Sequence, residues 1–250
     1  MTTSAEVCEF LDWDTNFFGY RIGRVTGHSL TDQLIKDIDK WVLDNRIDCL
    51  YFLAENDTPS TSLLARQFGF ELVDVRLTYE YNLKNRKTHS EKSTVSLNKT
   101  KIRQVQSEDI PALKSIARTS YNDSRFHFDQ HFPKEKGDAL YEIWIEKSCN
   151  GYADNVLIVE TENQAVGYIS CKILDKDTGQ IGLVGVAEKA RGQGIGTSLI
   201  YSSLNWFANK DLQFVTVATQ ERNISAQHLY QKCGFLIRST QPWYHRWTPS

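Results

Sequence analysis

Apolar residues recur along this chain with two different periods. Between residues 30 and 46, Leu34, Ile35, Ile38, Trp41 and Val42 return at helical spacing, which predicts an amphipathic helix. Residues 70–83 instead alternate apolar with polar positions and are rich in β-branched and aromatic side chains, the pattern of a long strand. Residues 7–25 read as a short strand, a turn packed with aromatics and a second strand. Trp13, Phe17 and Phe18 in that turn are expected in the core, with a direct substrate contact as the alternative. Residues 49–54 form an apolar run that suits a buried strand, and 60–68 a short helix ended by Gly69. Residues 85–94 have no periodicity and almost no apolar side chain, as expected of a solvated connection. The boundary falls there and divides the chain into a domain over 1–85, a polar linker over 86–99 and a second domain over 100–250.

The second stretch begins with a strand at 101–105 and a helix opened by Ser107-Glu-Asp-Ile-Pro111, with its cap, acidic first turn and early proline. Residues 121–133 are irregular and rich in groups able to touch a substrate, and 134–149 are helical. Three strands follow at 155–160, 165–174 and 180–187. A glycine turn then leads into a helix from Thr197, and a strand at 212–219, a helix at 224–232 and a last strand at 235–247 complete the chain. The two stretches carry a related segment: Leu64-Ala-Arg-Gln-Phe-Gly-Phe70 aligns with Leu229-Tyr-Gln-Lys-Cys-Gly-Phe235, with one residue of slack before each glycine. Four residues before those glycines stand Ala65 and Tyr230, so only the second copy holds a proton donor.

Composition narrows the class. The chain has 250 residues, 40% hydrophobic and 24% charged, with a net charge of −2 and no basic run to track a phosphate backbone, so a small molecule is the expected partner rather than nucleic acid. No stretch has the ~20 apolar residues needed to span a bilayer, and the N-terminus lacks a signal pattern, so a cytoplasmic location with no membrane partner is expected. Five scattered cysteines suit free thiols better than a disulfide framework.

The candidate chemistry lies around Arg191-Gly-Gln-Gly-Ile-Gly196. Gly192, Gly194 and Gly196 let backbone amides approach a bulky anion, and the following helix adds unpaired N–H groups and the positive end of its dipole. Strand, turn and helix together make a pyrophosphate cradle. A P-loop would need Lys then Ser or Thr after the last glycine, where this chain has Thr197, and a dinucleotide site would need G-x-G-x-x-G with an acidic residue about 20 positions on. Neither pattern is present. A ligand-free glycine turn is the plain alternative. Gly185 interrupts a β-branched strand, suggesting a bulge where backbone meets a ligand.

Asn223, Gln227 and Tyr230 share one helix face, and a tyrosine hydroxyl stays protonated at neutral pH, so Tyr230 is the general-acid candidate. Asn223 serves either as a helix N-cap or as a ligand contact, and the two roles can coexist. His127, Asp129 and His131 lie close together, but Pro133 and the lack of a third ligand argue against a metal; substrate contact, a base role and ordinary loop polarity remain open. No metal is expected.

Arg191-x-x-Gly194-x-Gly196 and the order of elements over 100–250 resemble the GCN5-related N-acetyltransferase (GNAT) family. The resemblance implies an α/β (α+β) fold: a central mixed, mostly antiparallel sheet flanked by helices, preceded here by a smaller partial copy. It implies acetyl-CoA as co-substrate, with the backbone of Val184, Gly185 and Val186 on the pantetheine arm, one amide there polarising the thioester. Arg191, Gly192, Gln193, Gly194, Ile195, Gly196 and Thr197 would hold the diphosphate, with Asn223 on the cofactor and Tyr230 as acid. Within the family, Asn16-Phe-Phe-Gly19, Ser124-Arg-Phe126, Tyr141-x-x-Trp144-Ile145, Val217-Ala-Thr-Gln220 and Trp243-Tyr-x-Arg246 resemble the TDP-fucosamine acetyltransferase branch. That likeness implies a homodimer acting on an amino group of a nucleotide-linked deoxy sugar, with Tyr121, Arg125, Phe126 and His127 near the substrate. The alternatives are acetylation of a protein N-terminus, polyamine or antibiotic, and a module that senses acyl-CoA without turnover.

Overall fold

The structure is a computed structural model that describes residues 7–55, 59–85 and 100–248. The first stretch runs β1 (Cys8–Phe10), α1 (Asp12–Phe18), β2 (Ile22–Val25), α2 (Asp32–Asp44), β3 (Cys49–Leu53), α3 (Pro59–Gln67) and β4 (Glu71–Asn82). The aromatic segment expected as a turn is the helix α1. Trp13 and Phe17, one turn apart, stack with centroids 5.0 Å apart, and Gly19 ends the helix at φ 85°, its N–H donating to Thr15 O at 2.9 Å. Phe18 is buried, while Trp13 and Phe17 pack half-buried against the same cluster. The predicted helix of 30–46 is α2, capped by the Thr31 hydroxyl on Leu34 N–H, and it buries Ile35, Ile38 and Val42.

The second stretch runs β5 (Thr100–Gln104), α4 (Ile110–Ser120), α5 (Arg125–Phe128), α6 (Lys134–Lys147), β6 (Asn155–Thr161), β7 (Gln164–Ile173), β8 (Thr178–Val186), α7 (Ile195–Ala208), β9 (Phe214–Gln220), α8 (Ile224–Lys232) and β10 (Leu236–Trp247). The irregular segment 121–133 contains the one-turn α5. The polar linker expected over 86–99 lies outside the described residues.

Both stretches feed one ten-stranded sheet, ordered β1-β2-β3-β10-β4-β9-β8-β7-β6-β5. Its neighbours are antiparallel except for β2 with β3 and β8 with β9, the pairs joined through α2 and α7. Each stretch sends its last strand across to the other: β4 pairs with β9, β10 pairs with β3, and β4 and β10 pair with each other. The related segments found in the sequence occupy matching places in this exchange. Gly69 and Gly234 both take positive φ, 75° and 91°, after α3 and α8, and Phe70 N–H and Phe235 N–H bond back to the carbonyls of Ala65 and Tyr230. Among the described residues, no helix is long and apolar enough to cross a membrane.

The sheet separates the core. On one face, Leu77, Tyr79, Val215 and Val217 pack with α7 and α8, and Leu50, Phe52 and Tyr244 pack with α2 and α3. On the other, Tyr51, Tyr168, Leu183 and Trp243 pack with α1, α4, α5 and α6. Alternation along each strand puts successive side chains into opposite layers. All five thiols are free, four of them buried.

Candidate functional site

β8 and β9 pair in parallel only from Thr178–Ile181 against Phe214–Val217, and then part. A bulge opens where they separate: Gly182 and Leu183 together face Ser170, whose hydroxyl accepts the Leu183 N–H at 2.8 Å. The irregularity therefore lies three residues before Gly185. Gly185 itself answers to packing, because a Cβ there would stand 2.6 Å from Cε1 of Tyr168. Ala187 N–H donates to Val166 O on β7, so by alternation Val184 and Val186 turn their backbone groups away from β7 into the gap. Both carbonyls are already engaged: Val184 O accepts from Tyr121 OH at 2.9 Å, and Val186 O from Arg191 Nε at 3.1 Å. The amide N–H groups are what that edge retains for a ligand.

Beside this gap is a groove of about 600 Å³ lined by Val184, Val186, the turn from Arg191 to Gly194, the start of α7, and Asn223 to Tyr230 of α8. Gly192 and Gly194 have φ of 76° and 80°, left-handed backbone that a β-carbon disfavours. Gly194 is the N-cap of α7, which has neither a capping side chain nor an acidic residue in its first turn. Its leading N–H groups and positive dipole end therefore meet the groove with no acidic side chain in the helix's own first turn. The helix begins at Ile195, two residues earlier than expected, which puts Gly196 inside it. There the missing side chain serves packing, since a Cβ would stand 3.2 Å from Leu229 of α8. Arg191 and Gln193 are exposed on the rim, Gln193 donating to Lys189 O; Ile195 is buried and Thr197 lines the groove.

Tyr230 enters the groove from the opposite wall. Its ring is 5% exposed and packs against Tyr79 and Phe235 at 5.8 and 6.0 Å. Burial, then the neighbouring Cys233 and Tyr79, raise its pKa well above the ordinary phenol value, so the hydroxyl keeps its proton. Neighbouring phenols are committed elsewhere, Tyr79 to Gln227 at 3.3 Å, Tyr121 to Val184 and Tyr168. Among the described residues the Tyr230 hydroxyl forms no hydrogen bond. Asn223 caps α8 by accepting the Ala226 N–H at 3.0 Å and still lines the groove. His228, Lys232 and Asp123 complete the wall without any motif in the sequence to announce them.

The side chains expected near the acceptor divide into two sets. Tyr121 lies at the parting of β8 and β9, stacked on Tyr141 at 4.2 Å, and Arg125 is half-buried over aromatic rings. Phe126 is core, 3% exposed and stacked on Phe18. His127 has both ring nitrogens engaged, Nδ1 with Ser124 at 2.7 Å and Nε2 with Asp138 at 2.8 Å, and it fastens α5 to α6. Of the other residues weighed as metal ligands, Asp129 is buried and accepts from His245 Nδ1 at 2.6 Å, Trp247 Nε1 at 2.9 Å and His131. These bonds hold its carboxyl well below the usual range despite burial. His245, 116 residues away, is the partner that no sequence pattern reveals.

Comparison with known proteins agrees with this geometry. Residues 115–235 match the Acetyltransferase (GNAT) family. Over 241 residues the chain is 28% identical to dTDP-fucosamine acetyltransferase of Escherichia coli O6:H1, covering 95% of this chain and 97% of that one. It is 25% identical over 139 residues to the spore coat polysaccharide biosynthesis protein SpsD of Bacillus subtilis, covering 56% and 48%. The fold matches that of a GCN5-related N-acetyltransferase from Sphaerobacter thermophilus, with TM-score 0.66 at 16% identity over 96% of this chain and 76% of that one. A parted parallel strand pair and an uncapped glycine-turned helix, with a family match over residues 115–235, make the second stretch similar to the GNAT acetyltransferases and the chain as a whole similar to dTDP-fucosamine acetyltransferase.

Proposed function

We propose that this chain transfers the acetyl group of acetyl-CoA to an amino group, in this reading the 4-amino group, of a nucleotide-linked amino-deoxy sugar. The single observation that carries the chemistry is the Tyr230 hydroxyl, which lines the groove, stays protonated and has no partner among the described residues. The groove fits acetyl-CoA, because the open start of α7 offers amide donors to a diphosphate and the parted edge of β8 offers Val184 and Val186 N–H to the arm. Support for the sugar comes from the likeness to dTDP-fucosamine acetyltransferase, which extends over 95% of this chain and so takes in most of the first stretch as well as the second.

In this reading the neutral amine attacks the thioester carbon, a C–N bond forms, and the carbonyl oxygen gathers charge that an amide of the β8 edge stabilises. The C–S bond then breaks, and Tyr230 gives its proton to the departing thiolate. The amine's own proton leaves through a water relay to a carboxylate or histidine, and Tyr230 regains a proton from solvent. Burial holds the phenol pKa high, but the thiolate forms in the same dry groove, where its basicity rises for the same reason. Cytoplasmic location and a homodimer go with this reading, the latter decided by light scattering.

The test is thiol release from acetyl-CoA with a panel of TDP-, UDP- and GDP-linked amino sugars. Turnover with at least one, faster than with polyamines or peptide N-termini, is expected. Turnover confined to those other amines would overturn the sugar assignment, and none with any amine would point to a sensing module.

A further inference from the structure

Two arginines lie near each other on the sheet face opposite the glycine turn, and neither has a counter-ion among the described residues. Leu77 and Tyr79 of β4 face α7 and α8, so Asp74 and Arg76 project to the other side, toward α1 and α5. In register, Arg76 lies between Gln220 of β9 and Gln241 of β10, and Asp74 is opposite Trp243. Arg125 reaches the same place from α5. Its guanidinium stands 4.0 Å from the ring centre of Trp243, 4.3 Å from Tyr51 and 4.5 Å from Phe126.

A dry relay fixes that orientation. His245 Nδ1–H donates to Asp129 at 2.6 Å, which leaves Nε2 as the acceptor for Arg125 Nη1 at 3.3 Å. Burial holds His245 neutral, so the relay orients Arg125 without cancelling its charge. Arg76 makes no side-chain hydrogen bond or ion pair among the described residues. Burial and then the charge of Arg125 weaken its hold on its proton. The nearby carboxylates are turned elsewhere: Asp74 to Arg222 at 3.7 Å and to Val75 N–H, and Asp129 to His245 and Trp247. Like charges kept together at a half-buried site cost stability, and an anionic ligand would offset that cost.

The location says which anion. Gln220, the partner of Arg76, lies three residues past Val217, where β9 leaves β8, so Arg76 lies one strand from the gap, and Arg125 stands beyond it over β10 and β3. We propose that Arg76 and Arg125 clamp the diphosphate of the acceptor, holding the sugar between themselves and the thioester. This rests on the nucleotide-sugar reading above. Planar guanidinium forks suit phosphate oxygens, and Arg125 presents its free edge while Trp243 and Tyr51 support its face.

The test titrates dTDP and UDP calorimetrically into the wild type, Arg76→Gln and Arg125→Gln, each saturated with coenzyme A so that the α7 turn is already filled. Each substitution is expected to weaken the nucleoside diphosphate by about tenfold or more, the value of one charged hydrogen bond, with acetyl-CoA affinity unchanged. KM for the nucleotide-linked sugar should rise in parallel. Arg76→Gln leaves the aromatic seat of Arg125 intact and keeps the test valid if Arg125→Gln folds poorly. A wild type that acetylates a nucleotide-linked sugar, with variants that bind nucleoside diphosphate equally well, would overturn this clamp alone. A wild type that neither binds nucleoside diphosphate nor acetylates such a sugar would overturn both readings.

Discussion

Tyr230 and Ala65 hold equivalent positions in the two halves of the chain. Each carbonyl accepts an N–H from the phenylalanine five residues on, Phe235 at 3.0 Å and Phe70 at 2.9 Å, around a glycine of positive φ. The helix ends are alike, but the side chains differ. Ala65 is fully buried in the α2–α3 core, whereas Tyr230 puts a phenol into a groove. Removing that hydroxyl alone should separate chemistry from binding. Tyr230→Phe is expected to lower kcat by about 10²–10⁴, the usual worth of general acid catalysis, with calorimetric affinity for acetyl-CoA unchanged. Thiol release at saturating substrates reads the first quantity, and undiminished turnover would remove Tyr230 from the mechanism.

Gly194 tests the other wall. Its φ of 80° at the head of α7 costs a β-branched residue about 1–2 kcal/mol or forces the turn to move, and either outcome misaligns the leading amides. Gly194→Val should weaken acetyl-CoA by about tenfold or more, measured by calorimetry. Equal affinity would mean that the turn does not hold the diphosphate.

Gly185 should prove a packing residue. A Cβ at this position would stand 2.6–2.9 Å from three atoms of the buried Tyr168 side chain, whose hydroxyl bonds to Tyr121 and through it to the Val184 carbonyl. Gly185→Ala is expected to cost about 1–3 kcal/mol through overpacking, read in denaturant unfolding. A variant as stable as the wild type would show that the ring can yield.

His245 should make stability depend on pH. Burial pushes its pKa down from 6.5 to about 4, against the opposing pull of Asp129. The folded-state value is the lower one, so the contribution is complete above pH 6.5. It is lost as pH falls toward 4, because the unfolded chain takes up the proton first. The full span amounts to about 3 kcal/mol. Other groups titrate in this range, Asp74 in the opposite direction with a pKa raised by burial to about 6, so the quantity to follow is the difference between wild type and His245→Asn. That difference should shrink from pH 7 to pH 4; a constant one would mean that folding leaves the pKa of His245 at its unfolded value.

The sequence alone determined the elements and the nature of one wall of the site. Helical and alternating periods are local properties, set by which residues a helix face or a strand face must bury, so they marked α2, β4 and α8 closely. The same holds for the glycine turn, because a left-handed φ at Gly192 and Gly194 is needed whatever surrounds them. Repetition of one short segment also identified Ala65 and Tyr230 as counterparts. Tertiary structure decided everything that depends on long-range pairing. Strand periodicity does not say which edge a strand joins, so the exchange of β4 and β10 was invisible, and with it the meeting of Arg76, Arg125 and Trp243. His127 read as a substrate contact until Ser124 and Asp138 occupied both its nitrogens, and Asp129 found His245 only because β10 returns past α5. A side chain's type follows from the sequence, but whether its polar atoms are spent on the protein or left for a ligand depends on neighbours that only folding supplies.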